Sequence, residues 1–291
     1  MMKHTKIYDE ERRGAGALDL GLALWLLLAV VMQAMVGGID VRPLAFPVGG
    51  CLCLAAMAGL YVAEREAADN PVVCRFRSAA MATRLLGLTV LACVVGGCLP
   101  QRMAFQTSWP FVALLVAMAA HLWVVLVHRL IHGGIRRNVA FVMTHGGLLL
   151  ALISGMAGAG DMADMRLTVD YGNPTSQAVS ADGRVRSLGY TLQLASFNIL
   201  DGTSVRNMQY EAEVMVDGSP VTLRVNSPHA VRLGEDIYLQ GFDTKGQDGQ
   251  VRYVVLQVVR QPWKYPMCVG LLLMLAGIVL MTVTRYMRQQ R

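Results

Sequence analysis

Hydrophobic positions gather into long unbroken runs in the first half of this chain and at its end, and into short alternating runs between. Six of the long runs reach the roughly 20 residues that a helix needs to cross a bilayer: 17–36, 44–63, 79–99, 110–131, 138–158 and 265–284. Arg84 interrupts the start of the third, and Asp19 near the start of the first is expected to stay at the interface. The fifth run stands apart. From 138 to 160 it reads NVAFVMTHGGLLLALISGMAGAG, with no Lys, Arg, Asp or Glu and one ionisable side chain, His145. An ionisable group at membrane depth is costly, usually faces a protein interior and often marks a site.

Between the fifth and sixth runs the period changes from helical to two. Residues 190–194 alternate ring, polar, apolar, polar, apolar, as in a half-buried strand. In EAEVMV-DG-SPVTLRV, Asp217-Gly218 separates two strand-like runs and predicts a tight hairpin. A second pair, EDIYLQGF and VRYVVLQVV, flanks the turn-rich stretch DTKGQDGQ. The expected fold is therefore an α-helical membrane protein with six transmembrane helices, five before and one after a small extracytoplasmic antiparallel β domain. That domain is expected as one sheet or a small sandwich. The boundaries are 1–160 for the five-helix region, 161–263 for the β domain, and 264–291 for the last helix and tail.

Composition agrees with this class. The chain is 54% hydrophobic and 16% charged, where soluble chains carry about a quarter charged residues. The net charge of +6 does not call for nucleic acid, because the basic residues flank apolar runs. Lys3, Lys6, Arg12, Arg13, Arg65, Arg75, Arg77, Arg84, Arg129, Arg136, Arg137, Arg285, Arg288 and Arg291 fall on one side, against Arg42 and Arg102 on the other. That asymmetry places both termini in the cytoplasm and the β domain outside, in a bacterium the periplasmic side of the inner membrane. The polar, charged lead MMKHTKIYDEERRG and the long first run do not form a cleavable signal pattern.

The six cysteines, Cys51, Cys53, Cys74, Cys93, Cys98 and Cys268, lie outside the β segment and include no C-x-x-C. Covalent haem attachment to this chain and a thioredoxin-like redox motif are therefore not expected, and each cysteine is read as a small buried hydrophobe. No G-x-S-x-G, P-loop or H-E-x-x-H occurs. The acidic residues Asp161, Asp164, Glu211, Glu213, Glu235 and Asp236 form no hydrolase-like pattern, and Glu211 with Glu213 reads as a solvated strand edge. No catalytic residue is assigned.

Histidine carries the remaining chemistry. His145 lies about seven residues, or about 10 Å, inside the cytoplasmic boundary, followed by Gly146 and Gly147, which admit a close helix or a flat macrocycle. A neutral imidazole there serves either as an axial ligand to haem iron or as interhelical glue. His121, His128 and His132 share one face of the fourth run. His121 near mid-membrane is a second ligand or a packing residue, and His128 and His132 are expected as hydrated interfacial side chains. His229, after Asn226-Ser227-Pro228, reads as a turn residue, and His4 in the tail tells nothing.

Four stretches carry a resemblance to the ResB (CcsB) family of cytochrome c biogenesis proteins, in its short Bacteroides-type form: GGIDVRPLAFPVGG, THGGLLLALISG, VNSPHAVRLGEDIYLQGFD and VVRQPWKYPMCVGLLLMLAGIVL. They span nearly the whole chain in family order. The resemblance implies the haem-handling half of a System II cytochrome c synthase. Such a protein works with a CcsA-like partner to carry haem b outward to apocytochrome c, and it implies His145 as an axial ligand to the haem iron. The chain departs from common ResB proteins in its two extra leading helices and small outer domain. It lacks the partner's W-G-x-x-W pattern, since Trp25, Trp109, Trp123 and Trp263 are scattered. The expected partners are thus the CcsA-like protein, apocytochrome c and membrane lipid. Two rival readings stay open: a b-haem electron-transfer anchor using His121 with His145, and a haem-free scaffold in which both histidines only pack helices.

Overall fold

The computed structural model describes residues 2–99, 105–201, 209–243 and 251–290, with side chains from residue 19 onward except residue 201. Arg102, Arg291, most of the turn-rich stretch 243–250, and the side chains of Lys3, His4, Lys6, Arg12 and Arg13 lie outside that description. The chain divides into two compact units, one of residues Met1–Gly160 with Pro266–Arg291 and one of residues Asp161–Tyr265.

The first unit contains α1 (Met2–Val36), α2 (Val48–Glu66), the short α3 (Pro71–Phe76), α4 (Ala79–Cys98), α5 (Trp109–Arg137), α6 (Val139–Asp161) and α7 (Lys264–Gln289). All but α3 are long and apolar enough to cross a membrane. Large apolar side chains such as Leu24, Leu52, Leu91 and Leu272 point outward, the reverse of a water-soluble surface. The cysteines follow suit: Cys51, Cys93, Cys98 and Cys268 are exposed on helix surfaces rather than buried, because on these faces lipid, not protein, is the apolar medium.

Helix α5 is the hub. It contacts α1, α2 and α4 and buries Leu114, Leu122, Val124, Leu126 and Val127. The Trp25 indole N–H of α1 donates to the Ala113 carbonyl at 3.2 Å, and Trp123 of α5 donates to the Met57 carbonyl of α2 at 2.8 Å. The Arg84 that interrupts the third apolar run pairs with Asp19, so two costly charges on α4 and α1 answer each other. Gly134 takes a positive φ of 65° at the end of α5. The Asn138 amide then donates back to the Gly134 carbonyl at 2.9 Å, turning the chain into α6. Leu122 and Leu126 of α5 pack there against Leu149 of α6.

The second unit is one antiparallel sheet of eight strands in the order β5-β4-β3-β2-β1-β8-β7-β6: β1 (Ala163–Asp170), β2 (Thr175–Ser180), β3 (Val185–Asp201), β4 (Gln209–Val216), β5 (Ser219–Arg224), β6 (His229–Arg232), β7 (Glu235–Phe242) and β8 (Tyr253–Arg260). Alternate residues face one core: Met165, Leu167 and Val169 on β1, Tyr190, Leu192 and Leu194 on β3, Val254, Leu256 and Val258 on β8. Leu223 of β5 and Ile237 of β7 belong to the same core, and those strands touch. A flat sheet of this width spans about 30 Å between such strands, so the sheet is rolled. The hairpin at Asp217-Gly218 forms with φ of 47° and 80°, the two positive values a tight β4–β5 turn needs.

Two strand expectations are corrected. Glu211 and Glu213 are not on an edge: β4 lies between β3 and β5. Glu211 accepts from Arg224 at 3.1 Å, and Glu213 accepts from Ser196 at 3.3 Å. His229 opens β6 rather than sitting in the turn; the positive φ falls on Asn226. At the ends of this unit the Trp263 indole donates to Asp161 at 2.6 Å.

Candidate functional site

His145 lies on the second turn of α6, half-buried. Its Nδ1 is 3.1 Å from the Phe141 carbonyl one turn back. Only a protonated Nδ1 can donate to a carbonyl, so this contact leaves Nε2 with its lone pair. The imidazole stacks on the Phe141 ring at 3.9 Å with an interplanar angle of 20°. The Arg129 guanidinium of α5 lies 5.0 Å from the centroid of the same ring. Phe141 thus touches both Arg129 of α5 and His145 of its own helix.

The glycines after His145 divide between two neighbours. A Cβ on Gly147 would meet the backbone of α7 at Gly270 and Met274, each at 2.5 Å, whereas one on Gly146 meets only the Leu126 side chain at 3.8 Å. Gly147 therefore admits a helix, not a macrocycle, and Gly270 and Gly277 of α7 reciprocate against Ala151 and Thr144. Small residues facing one another let two membrane helices touch backbone to backbone.

His121 is 4% exposed, and its Nδ1 lies 2.7 Å from the Phe76 carbonyl. The Phe76 ring meets the imidazole edge-on at 5.7 Å. It lies within electrostatic range of His145, but it is enclosed by protein.

His128 departs from the hydrated position expected of it. Its Nδ1 is 2.7 Å from Glu64 Oε1, and Arg77 donates to the same oxygen at 2.8 Å. Glu64, at the end of α2, is 1% exposed, and a carboxylate so buried needs such partners. Local signals bring Arg77 back to it: the Asn70 side chain caps α3, Pro71 opens it, and Ser78 caps α4. Arg77 sits in the corner between, donating also to the Ala68 carbonyl at 2.9 Å. Along the chain Glu64 shows only as a carboxylate just past the second apolar run, 64 residues from His128 and 13 from Arg77, so only the fold brings the three together. His132 stacks on His128 at 4.3 Å and is exposed. Arg77, Val125, His128, Arg129 and Phe141 line a cavity of about 240 Å³ beside this cluster.

Among the described residues no three His, Cys, Asp or Glu side chains are grouped to hold a metal ion. In the β unit, Arg186, Arg232, Glu235 and Arg260 line a separate cleft. Beneath it the Tyr190 hydroxyl and Glu235 Oε1 are both buried without a hydrogen-bond partner. Burial, with the Glu235 carboxylate nearby, pushes the Tyr190 phenol well above its usual range.

No curated protein matches the chain. Among solved structures, a cytochrome c haem lyase, CcmF, is similar at 15% identity and a TM-score of 0.38, over 91% of this chain and 44% of that one. The chain thus spans less than half of that protein's length. Residues 132–252, which carry α6 with His145 and strands β1 to β7, match the ResB-like family.

Proposed function

We propose that this chain is a membrane subunit of a System II cytochrome c synthase. In this reading it holds haem b as cargo and passes it outward, with a CcsA-like partner, for covalent attachment to apocytochrome c. Both termini are cytoplasmic and the β domain is periplasmic, on the inner membrane of a bacterium. The ResB-like match over residues 132–252 supports cytochrome c biogenesis as the setting.

One observation carries the site: the contact of His145 Nδ1 with the Phe141 carbonyl at 3.1 Å. It presents Nε2 as an iron ligand, in the tautomer that metal-binding histidines adopt when the other nitrogen donates to a carbonyl. The residues fit a haem held by one histidine from this chain and one group from the partner. His121 makes the same kind of Nδ1 contact, with the Phe76 carbonyl, but at 4% exposed it is enclosed by protein where His145 is half-buried, which disfavours a bis-histidine haem within the chain. Thioether chemistry belongs to haem and apocytochrome; this chain binds and orients.

The test is the optical haem spectrum of the purified chain, with and without the partner, as wild type and His145→Gly, followed by imidazole. Haem bound with the partner, lost in the variant and restored by imidazole supports the reading. Haem retained unchanged in His145→Gly removes it and points to His121.

A further inference from the structure

We infer that the cavity lined by Arg77, Val125, His128, Arg129 and Phe141 takes the propionate carboxylates of the haem whose iron His145 holds; this rests on the ligand reading above. Two arginines and a histidine, Arg77, Arg129 and His128, line the cavity. Two of these side chains already serve a carboxylate: Arg77 and His128 both donate to Glu64 Oε1. Arg129 has none. Among the described residues no carboxylate lies within ion-pair distance of it, and its guanidinium rests on the face of Phe141.

Arg129 is exposed near the basic end of α5, so its guanidinium is open to a ligand's carboxylate. Its planar fork matches a carboxylate with two parallel hydrogen bonds. The stack supplies the geometry. The guanidinium is 5.0 Å from the Phe141 ring, and that ring is 3.9 Å from the His145 imidazole. Those two steps bound the separation of cation and ligand to the order of the reach from a haem iron to its propionate oxygens. At about 240 Å³ the cavity has room for carboxylates and not for a porphyrin, so the macrocycle itself lies outside it. Propionates then point toward the basic end of α5, where Arg136 and Arg137 follow.

The experiment titrates the full chain, co-purified with its partner, with haem and with the uncharged haem dimethyl ester, reading the Soret band. Wild type is expected to bind haem about tenfold more tightly than the ester, the effect of one charge-assisted contact. Arg129→Gln abolishes that preference without moving the band, and Arg129→Lys keeps part of it. A preference that survives Arg129→Gln, or a wild type with no preference, overturns the inference. His145→Gly separates the two ideas. If it binds both compounds as wild type does, the ligand reading fails even where the Arg129 arm succeeds.

Discussion

His128 Nδ1 stands 2.7 Å from Glu64 Oε1, and Arg77 shares that oxygen at 2.8 Å, so a buried carboxylate on α2 is held by α5 and by the corner after α3. Removing one member of a buried charge cluster leaves the others uncompensated and costs about 3–5 kcal/mol. Glu64→Ala is therefore expected to lower the thermal midpoint of the full chain in detergent far more than Glu64→Gln, which keeps an acceptor oxygen. Equal midpoints for wild type and Glu64→Ala would show the cluster to be energetically idle.

Gly147 and Gly146 are neighbours with opposite expectations. A methyl on Gly147 runs into α7 backbone, which cannot yield as a side chain does. Overpacking of that kind costs about 1–3 kcal/mol. Gly147→Ala should destabilise by that amount, while Gly146→Ala, facing only the Leu126 side chain, should leave the midpoint within error. Thermal unfolding of the two variants decides it, and the reverse order would mean that α6 is rotated from the orientation described.

Tyr190 ties the β unit to alkaline pH. Its phenol is raised in the folded state, mainly by burial, so the unfolded chain loses that proton first, above about pH 10. Stability is fully present below that value and falls above it, by at most about 1.4 kcal/mol per pH unit. Tyr190→Phe, which also removes the unpartnered hydroxyl, should flatten the loss between pH 9 and 11 in denaturant titrations of the full chain. Parallel slopes for the two proteins would contradict this.

Much of the molecule was legible along the chain because the signals are local. Hydropathy located the six long helices, since solvating an apolar run of that length depends on the run alone, although α1 extends back to Met2, well before the expected start at residue 17. Period-two alternation identified β3, and Asp217-Gly218 identified the β4–β5 turn, because only such residues accept two positive φ values cheaply. His145 stood out by being the sole ionisable group in its run.

What tertiary structure alone decided are the pairings between distant residues. Arg84, an interruption when read along the chain, is answered by Asp19. His128, an interfacial residue by position, is drawn to Glu64. Gly147 faces α7 and not an open slot, and the sheet rolls so that β5 and β7 share a core. Apolar period and turn chemistry are properties of neighbours in sequence. A buried charge, by contrast, is set by whichever opposite charge the packed helices carry to it, and no window along the chain contains both.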